Sequence, residues 1–373
     1  MQLELVAKQY KRLNGQGRYV RSLSQSMTAL GVEYATRYPR LPGYLRPLDR
    51  PLYRFGYDLP EFFSSFPISA QVERESIKHL TTQEMGSLLY FNRSLRNTVI
   101  TVCDIIPYMN RHSAEQRTYQ HVVERLFDRL ALMGLTYASA IIAISEYTKQ
   151  TLVEHLGIAA DKIKVVHMGL NHQLFQPTLV SDTLRTKYGL SADYKYLLFV
   201  GPETPRKNLH RLVDAFAMLR AHMPNLRLIK VGKPMYEPGY VRLQQQIEKL
   251  NLHQDIIFLE QISDQELVEL YAMADVYVFP SLYEGFGLPT LEAMACGAPV
   301  VCANAASLPE VVGDAALLVD PLHSAAMAEA IASILDNSTL RANLIERGFV
   351  HARQFTWEQT ARQTLAVYRT LLN

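Results

Sequence analysis

Short apolar runs alternate with amphipathic stretches of helical period along nearly the whole chain, and that alternation leaves few folds open. In the first half the runs at Leu3–Ala7, Ser76–Leu80, Val99–Val102, Ala140–Ile144 and Lys164–His167 read as strands. Helical patterns cover Arg18–Ala29, Ala114–Leu132 and Glu146–Leu156. The second half repeats the rhythm, with strands at Tyr196–Val200, Leu226–Lys230, Ile256–Leu259, Val276–Phe279, Pro299–Cys302 and Ala316–Val319. Its helices are expected at Leu209–Arg220, Tyr240–Leu250, Asp264–Ala274, Leu288–Cys296 and Ser324–Leu335. Strands joined by helices of this length predict parallel sheets built from right-handed crossovers, so the expected class is α/β. A chain of 373 residues exceeds one ordinary core and suits two domains. The polar stretch Phe175–Asp182, with Pro177, is the expected linker and divides the chain into residues 1–177 and 178–355.

Composition narrows the function. The 38 basic and 36 acidic side chains leave a formal net charge of +2, without the basic surplus of a nucleic-acid binder. Cys103, Cys296 and Cys302 have neither metal-type spacing nor a disulfide framework, which fits a reducing, cytoplasmic compartment. No apolar run reaches the roughly 18 residues of a membrane span, and the first residues, which include Glu4, lack the apolar stretch of a secretory signal. The segment Arg37–Phe66 is interrupted by Pro39, Pro42, Pro47, Pro51 and Pro60 and is expected to be a long loop rather than helix. Its many Tyr and Arg side chains leave two readings open: a structural insertion, or a surface facing an acceptor or a membrane.

The strongest chemical signal is Pro280-Ser-Leu-Tyr-Glu-Gly-Phe-Gly-Leu-Pro-Thr-Leu-Glu-Ala-Met-Ala, set between an apolar run and a helical pattern. A glycine turn from strand to helix presents backbone N–H groups at the positive end of the helix dipole. That makes an anion site at the carboxyl edge of a parallel sheet. Gly285 and Gly287 let a phosphate approach the backbone, with Phe286 and Leu288 completing the turn. Glu284 and Glu292 stand eight residues apart and can face one ligand. Carboxylates accept hydrogen bonds from hydroxyls, so Glu292 suits a ribose and Glu284 a donor sugar or its phosphates. Beside phosphate, Glu284 needs a cationic neighbour. Taken alone, Glu292 reads first as a first-turn helix carboxylate favoured by the dipole.

This segment resembles the glutamate–seven residues–glutamate signature of glycosyltransferase family 4, and the likeness covers nearly the whole chain. The resemblance implies retaining enzymes of the GT-B fold, with two Rossmann-like domains facing each other across a cleft. It also implies that the last helix, within residues 356–373, packs back on the first domain, that the two glutamates bracket the donor, and that the second binds the ribose.

Phe199-Val-Gly-Pro-Glu-Thr-Pro-Arg-Lys-Asn-Leu also follows a strand and opens a helix, with Gly201 at the turn. Arg206 and Lys207 lie at the top of the sheet, where they can clamp a diphosphate. Cations are electrostatically misplaced at a helix start, which favours a functional reading over a solvated turn. The stretch looks like the family's Arg-Lys-Asn-Leu variant of mannosyl and rhamnosyl enzymes, which implies GDP-mannose as donor. Pro202 stands where many relatives carry an arginine, so Arg206 is expected to supply that role. In the family's layout Lys233, in Val231-Gly-Lys, neighbours the nucleotide, and the loop Phe258–Asp264 reads the base.

Gly15-Gln-Gly17 follows the first strand, but Val20 stands where the dinucleotide fingerprint needs its third glycine, so by spacing it is a tight turn. The resemblance implies that this loop closes over the donor, with Gly17 admitting its phosphates. Asp104 ends the apolar strand Val99–Val102 and either orients an acceptor or caps the strand end. Cys103 replaces the family's histidine beside it; His79 reads as a packed imidazole, with that histidine's role as its alternative.

No Asp-x-Asp pair ends a strand, so neither a metal nor another cofactor is expected. Arg206, Lys207 and the helix start near Gly287 would neutralise the leaving group electrostatically. The resemblance implies front-face attack with retention, Asp104 orienting the acceptor. The expected activity is transfer of a hexose-type sugar from a nucleotide diphosphate-sugar to a glycan or lipid-linked acceptor. The expected setting is cytoplasmic, with at most peripheral contact at the inner membrane face. Two other readings stay open: a non-catalytic sugar-nucleotide-binding partner of a polysaccharide machine, and a GT-B nucleotide-sugar epimerase. A nicotinamide oxidoreductase is set back by the incomplete glycine fingerprint.

Overall fold

The computed structural model describes residues 2–8, 15–54, 56–111, 122–234 and 237–372. The chain forms two compact units, Met1–Gly169 with Trp357–Asn373, and Leu170–Thr356. The first boundary therefore lies ahead of Pro177, because Leu170 N donates to Phe355 O (3.0 Å) and the Phe175 ring packs on Tyr271, tying this stretch to the second unit. Thr356 stays there too, through a bridge to Leu170.

The first unit is built on β1 (Leu3–Val6), β2 (Ala35–Arg37), β3 (Ile77–Leu80), β4 (Thr98–Val102), β5 (Ala140–Ala143) and β6 (Ile163–Val165). All pair in parallel, in the order β2-β1-β3-β4-β5-β6. The second holds β7 (Lys195–Val200), β8 (Leu226–Val231), β9 (Ile256–Leu259), β10 (Val276–Phe279), β11 (Val300–Ala303) and β12 (Ala316–Val319). These are also parallel, in the order β12-β11-β10-β7-β8-β9. The strand order reverses between β1 and β3 in one sheet and between β7 and β10 in the other. Open α/β sheets bind ligands in the crevice at such a reversal, outside the carboxyl ends of the strands.

Central strands covered on both faces are mostly apolar, and β10 (Val-Tyr-Val-Phe) is buried along its whole length. The helix Leu209–Arg220 covers the second sheet with Leu212, Val213, Phe216 and Leu219, a spacing of three and four residues that keeps them on one face. Local chemistry starts the helices: Ser145 caps Glu146–Leu156 through Thr148 N (3.0 Å), and Ser263 with Glu266 forms a reciprocal capping box on Asp264–Met273.

Several elements depart from expectation. The edge strand β2 is only three residues long and has no apolar period; it is held by its pairing to β1 and by Arg37 Nε on the buried Glu4 carboxylate (2.5 Å). The proline-rich segment is not one long loop but carries helices Arg46–Tyr53 and Leu59–Ser65. Pro47 and Pro60 lie in first turns, where no N–H is needed, Asp58 caps the second helix through Glu61 N (2.9 Å), and the helix Arg46–Tyr53 accommodates Pro51. A helix at Ser338–Ala352 starts at Asn337, whose side chain accepts from Leu340 N (2.9 Å). Of the helix expected over Ala114–Leu132, the described part is Val122–Gly134; residues 114–121 lie outside the described residues. Among the described residues no helix is long and apolar enough to cross a membrane.

The C-terminal helix Trp357–Arg369 groups with the first unit through a buried polar chain. Tyr368 Oη lies 2.6 Å from His79 Nδ1, His79 Nε2 lies 2.7 Å from Thr101 Oγ1, and Tyr19 Oη lies 3.1 Å from the same hydroxyl. His79 is thus a packed imidazole, and burial pushes its pKa down to about 3. A depressed histidine contributes stability that is fully present above the unfolded value and is lost as pH falls below it. From pH 7.5 to pH 5 the first unit should lose about 2 kcal/mol on this account. Urea unfolding across that window measures it, and His79→Gln should flatten the slope; equal slopes in the two proteins would refute the assignment.

Candidate active site

The turn after β7 and the turn after β10 stand side by side where the second sheet reverses its order. The first begins at Gly201 and tightens through the short turn Pro205–Lys207 before the helix Leu209–Arg220. Asn208 fastens it: its φ is +57°, and its side-chain amide donates to Pro280 O (3.0 Å) and Pro321 O (2.7 Å). Leu282 N donates to Arg206 O (2.7 Å), which closes the two turns on each other.

Within this frame Glu284 lies between two cations. Its Oε1 is 2.9 Å from Arg206 Nη1 and 2.7 Å from Lys207 Nζ. The three side chains are 12%, 31% and 8% exposed respectively, so Lys207 is the most enclosed. Lys207 Nζ also sits 4.4 Å over the Phe279 ring. Burial alone would raise the Glu284 carboxyl, but the charges of Lys207 and Arg206 outweigh it and hold the group below its usual range. Burial lowers Lys207, with the nearby Arg206 charge acting the same way and Glu284 opposing. The cationic neighbour that Glu284 requires is therefore supplied twice.

Gly287 follows with φ +119° and begins the helix Leu288–Cys296, with Pro289 in its first turn. A Cβ at Gly287 would lie 2.7 Å from Leu308 Cδ2. Ser307 Oγ lies within hydrogen-bond distance of the carbonyls of Glu284 (2.9 Å) and Phe286 (2.7 Å), which ties this loop to the segment before Leu308. Phe286 is buried against Phe355. Glu292 lies in the second turn of this helix, not the first, so dipole stabilisation of a first-turn carboxylate does not explain it. It is 8% exposed and accepts a hydrogen bond from Tyr271 Oη (3.0 Å). Burial, reinforced by the Glu292 charge, pushes the Tyr271 phenol well up, so it remains the donor.

Gly201, Arg206, Lys207, Glu284, Gly285, Phe286, Gly287, Leu288 and Glu292 thus lie on the two adjoining turns and the helix that follows. Lys233 is exposed just beyond β8. In the first unit Gly17 is buried in the first turn of the helix Gly15–Ala29 and lines a surface cavity of about 550 Å³ with Lys8, Arg21 and Tyr38. Asp104 follows β4 and accepts from Ile106 N (3.0 Å), the strand-end cap. Burial, with the Asp104 charge, pushes the Cys103 thiol well up, so it stays protonated. Sequence reasoning missed Tyr271, Asn208 and a buried Lys230–Glu203 pair. Lysine next to the end of the apolar strand β8 was the available signal, since a buried ammonium needs a partner.

The model of the "Glycosyltransferase Family 4" domain matches residues 13–174, and that of "Glycosyl transferases group 1" matches residues 180–351. The chain belongs to this family of glycosyltransferases, and its fold is GT-B. Among curated relatives, the O-antigen chain mannosyltransferase B of Escherichia coli is 36% identical over 64% of this chain and 62% of its own length. The D-inositol 3-phosphate glycosyltransferase of Corynebacterium glutamicum is 34% identical over 62% of this chain and 57% of its own. The chain thus spans about three fifths of these two relatives. Among solved structures, sucrose-phosphate synthase of Thermosynechococcus elongatus shares the fold with a TM-score of 0.73 and 24% identity, covering 100% of this chain and 99% of that one. Anabaena HepE, solved with UDP and glucose, has a TM-score of 0.73 and 22% identity over 98% of both chains.

Proposed function

We propose that the second unit binds a nucleotide diphosphate-sugar and that the chain transfers its sugar, with retention and without a metal, to a glycan or lipid-linked acceptor. The observation that carries this reading is Glu284 held between Arg206 and Lys207 at the reversal point of the sheet, beside the helix start at Gly287. Two cations against one carboxylate leave one positive charge, at a place where backbone N–H groups already favour an anion. As the bond from the anomeric carbon to the diphosphate breaks, negative charge grows on the leaving group. Arg206, Lys207 and the helix N-terminus are preorganised to meet it. Glu284 accepts from a hydroxyl of the donor sugar, and Glu292, steadied by Tyr271, accepts from the ribose. The departing phosphate takes the acceptor proton.

In this reading Gly17 and Asp104 of the first unit admit the phosphates and orient the acceptor, and Lys233 lies beside the nucleotide. GDP-mannose is the donor we favour, on the Arg206-Lys207-Asn208-Leu209 turn and on the similarity to the Escherichia coli mannosyltransferase. The exposed Tyr44, Leu48 and Tyr53, set among Arg46 and Arg50, support peripheral contact with the cytoplasmic face of a membrane.

Incubation with GDP-mannose and with UDP-glucose in EDTA tests the reaction, because water can replace the missing acceptor. Slow release of GDP, with the freed mannose first seen by NMR as the α anomer, is the expected result. Release of the β anomer would overturn retention, and release only after adding a divalent cation would overturn metal independence.

A further inference from the structure

Lys230 lies within the apolar strand β8 at 1% exposure. Its Nζ bonds the Glu203 carboxylate and Gly232 O (2.6 Å). Glu203, 5% exposed, stands in the turn that carries Arg206 and Lys207. At that point β7 and β8 run into close contact. Gly201 N donates to Val231 O (2.8 Å), and Gly232, with φ +126°, comes so near that a Cβ on it would lie 2.9 Å from Gly201 O. The pair therefore ties the middle of the cation-bearing turn to the end of the neighbouring strand, while Asn208 ties its far end to Pro280 and Pro321.

Stability does not account for this pair. Removing two charges from water costs more than their attraction returns unless the remaining oxygens and protons are also bonded. Glu203 Oε2 is buried without a partner, and so are Thr204 Oγ1 and Asn208 Oδ1 in the same turn. Unsatisfied buried atoms gathered in one short segment call for an explanation beyond packing, and a donor site on the same turn supplies one.

We propose that Glu203 and Lys230 are positioning residues for the donor: their ion pair fixes the turn Gly201–Asn208 to β8 so that Arg206 and Lys207 meet the diphosphate in one pose. The inference rests on the donor site proposed above. Glu203 acts through the two cations and not on the substrate.

Calorimetric titration of GDP and UDP in EDTA, beside thermal unfolding, tests it with the full chain. Wild-type protein that binds neither nucleotide overturns the donor reading itself. Given wild-type binding, Glu203→Leu/Lys230→Met leaves no unpaired charge and should keep its unfolding temperature while binding about tenfold weaker or worse. Glu203→Gln, which still offers Lys230 an acceptor, should lie between that variant and wild type. Lys230→Met, which strands a buried carboxylate, should lose both stability and affinity. A double variant with an affinity loss under about threefold, less than 1 kcal/mol, overturns the proposal. If the double variant does not fold, Glu203→Gln decides by whether its affinity falls measurably below that of wild type at equal unfolding temperature.

Discussion

Lys207→Met is expected to lower turnover of the donor by about two to three orders of magnitude, the range seen when one preorganised donor is removed from a charge-stabilising site. Methionine keeps much of the stem that packs over Phe279, so lost packing is a small part of the effect. Charge is the main part. Glu284 keeps one cation in place of two, and the local balance passes from one net positive charge to none just where a diphosphate would sit. The remaining cation, Arg206, is the more exposed of the two and is screened more by solvent. Folding should weaken as well. The Glu284 carboxyl is held below its ordinary value of 4.5, so it contributes stability present above that value and lost as pH falls through its folded value. In Lys207→Met that contribution shrinks, and the variant should differ most from wild type near neutral pH and least in acid. Steady-state release of nucleoside diphosphate and urea unfolding at two pH values measure the two effects. Turnover within about threefold of wild type would remove Lys207 from the site.

Gly287→Val is the second large effect. Valine is poorly suited to a φ of +119°, and its Cβ would meet Leu308 Cδ2 at 2.7 Å. Backbone strain of about 1–3 kcal/mol adds to overpacking of about 1–3 kcal/mol. In a unit of this size the sum lowers the unfolding temperature by roughly 10 °C. Relief of the clash must move either the helix Leu288–Cys296, and with it the first-turn N–H groups proposed to meet the diphosphate, or the segment from Ser307, whose hydroxyl bonds the Glu284 and Phe286 carbonyls. Nucleotide affinity should fall along either route. A variant with unchanged unfolding temperature and unchanged affinity would show that the turn is neither tight nor functional.

Periodicity made both sheets legible, because strands buried on two faces are largely apolar, and the helices between them keep a clear stripe. The edge strand β2 was not, since three residues at a sheet margin need no apolar pattern and are held by pairing and by Arg37 on Glu4. Proline misled in the segment from Arg37 to Phe66, where Pro47 and Pro60 open helices instead of breaking them. In the second unit the two glycine turns could be read from spacing alone, and the need of Glu284 for a cation followed from its own charge. What spacing could not supply was pairing at a distance: Tyr271 on Glu292, and Lys230 on Glu203 across 27 positions. Such partners are chosen by strand order, which places β8 beside β7 and β10 on its other side.

On the proposed reading, the second unit binds a nucleoside diphosphate through Arg206, Lys207 and Glu292 without a metal. Thermal unfolding of the full chain in EDTA against GDP, UDP and ADP tests it most directly. At about 100 times its dissociation constant, the preferred diphosphate should add roughly 2.7 kcal/mol of stability. That gain should vanish in Arg206→Ala and in Glu292→Ala while the ligand-free proteins remain folded. A folded wild-type protein that none of the three diphosphates stabilises would contradict the claim, as would a gain that survives in both variants.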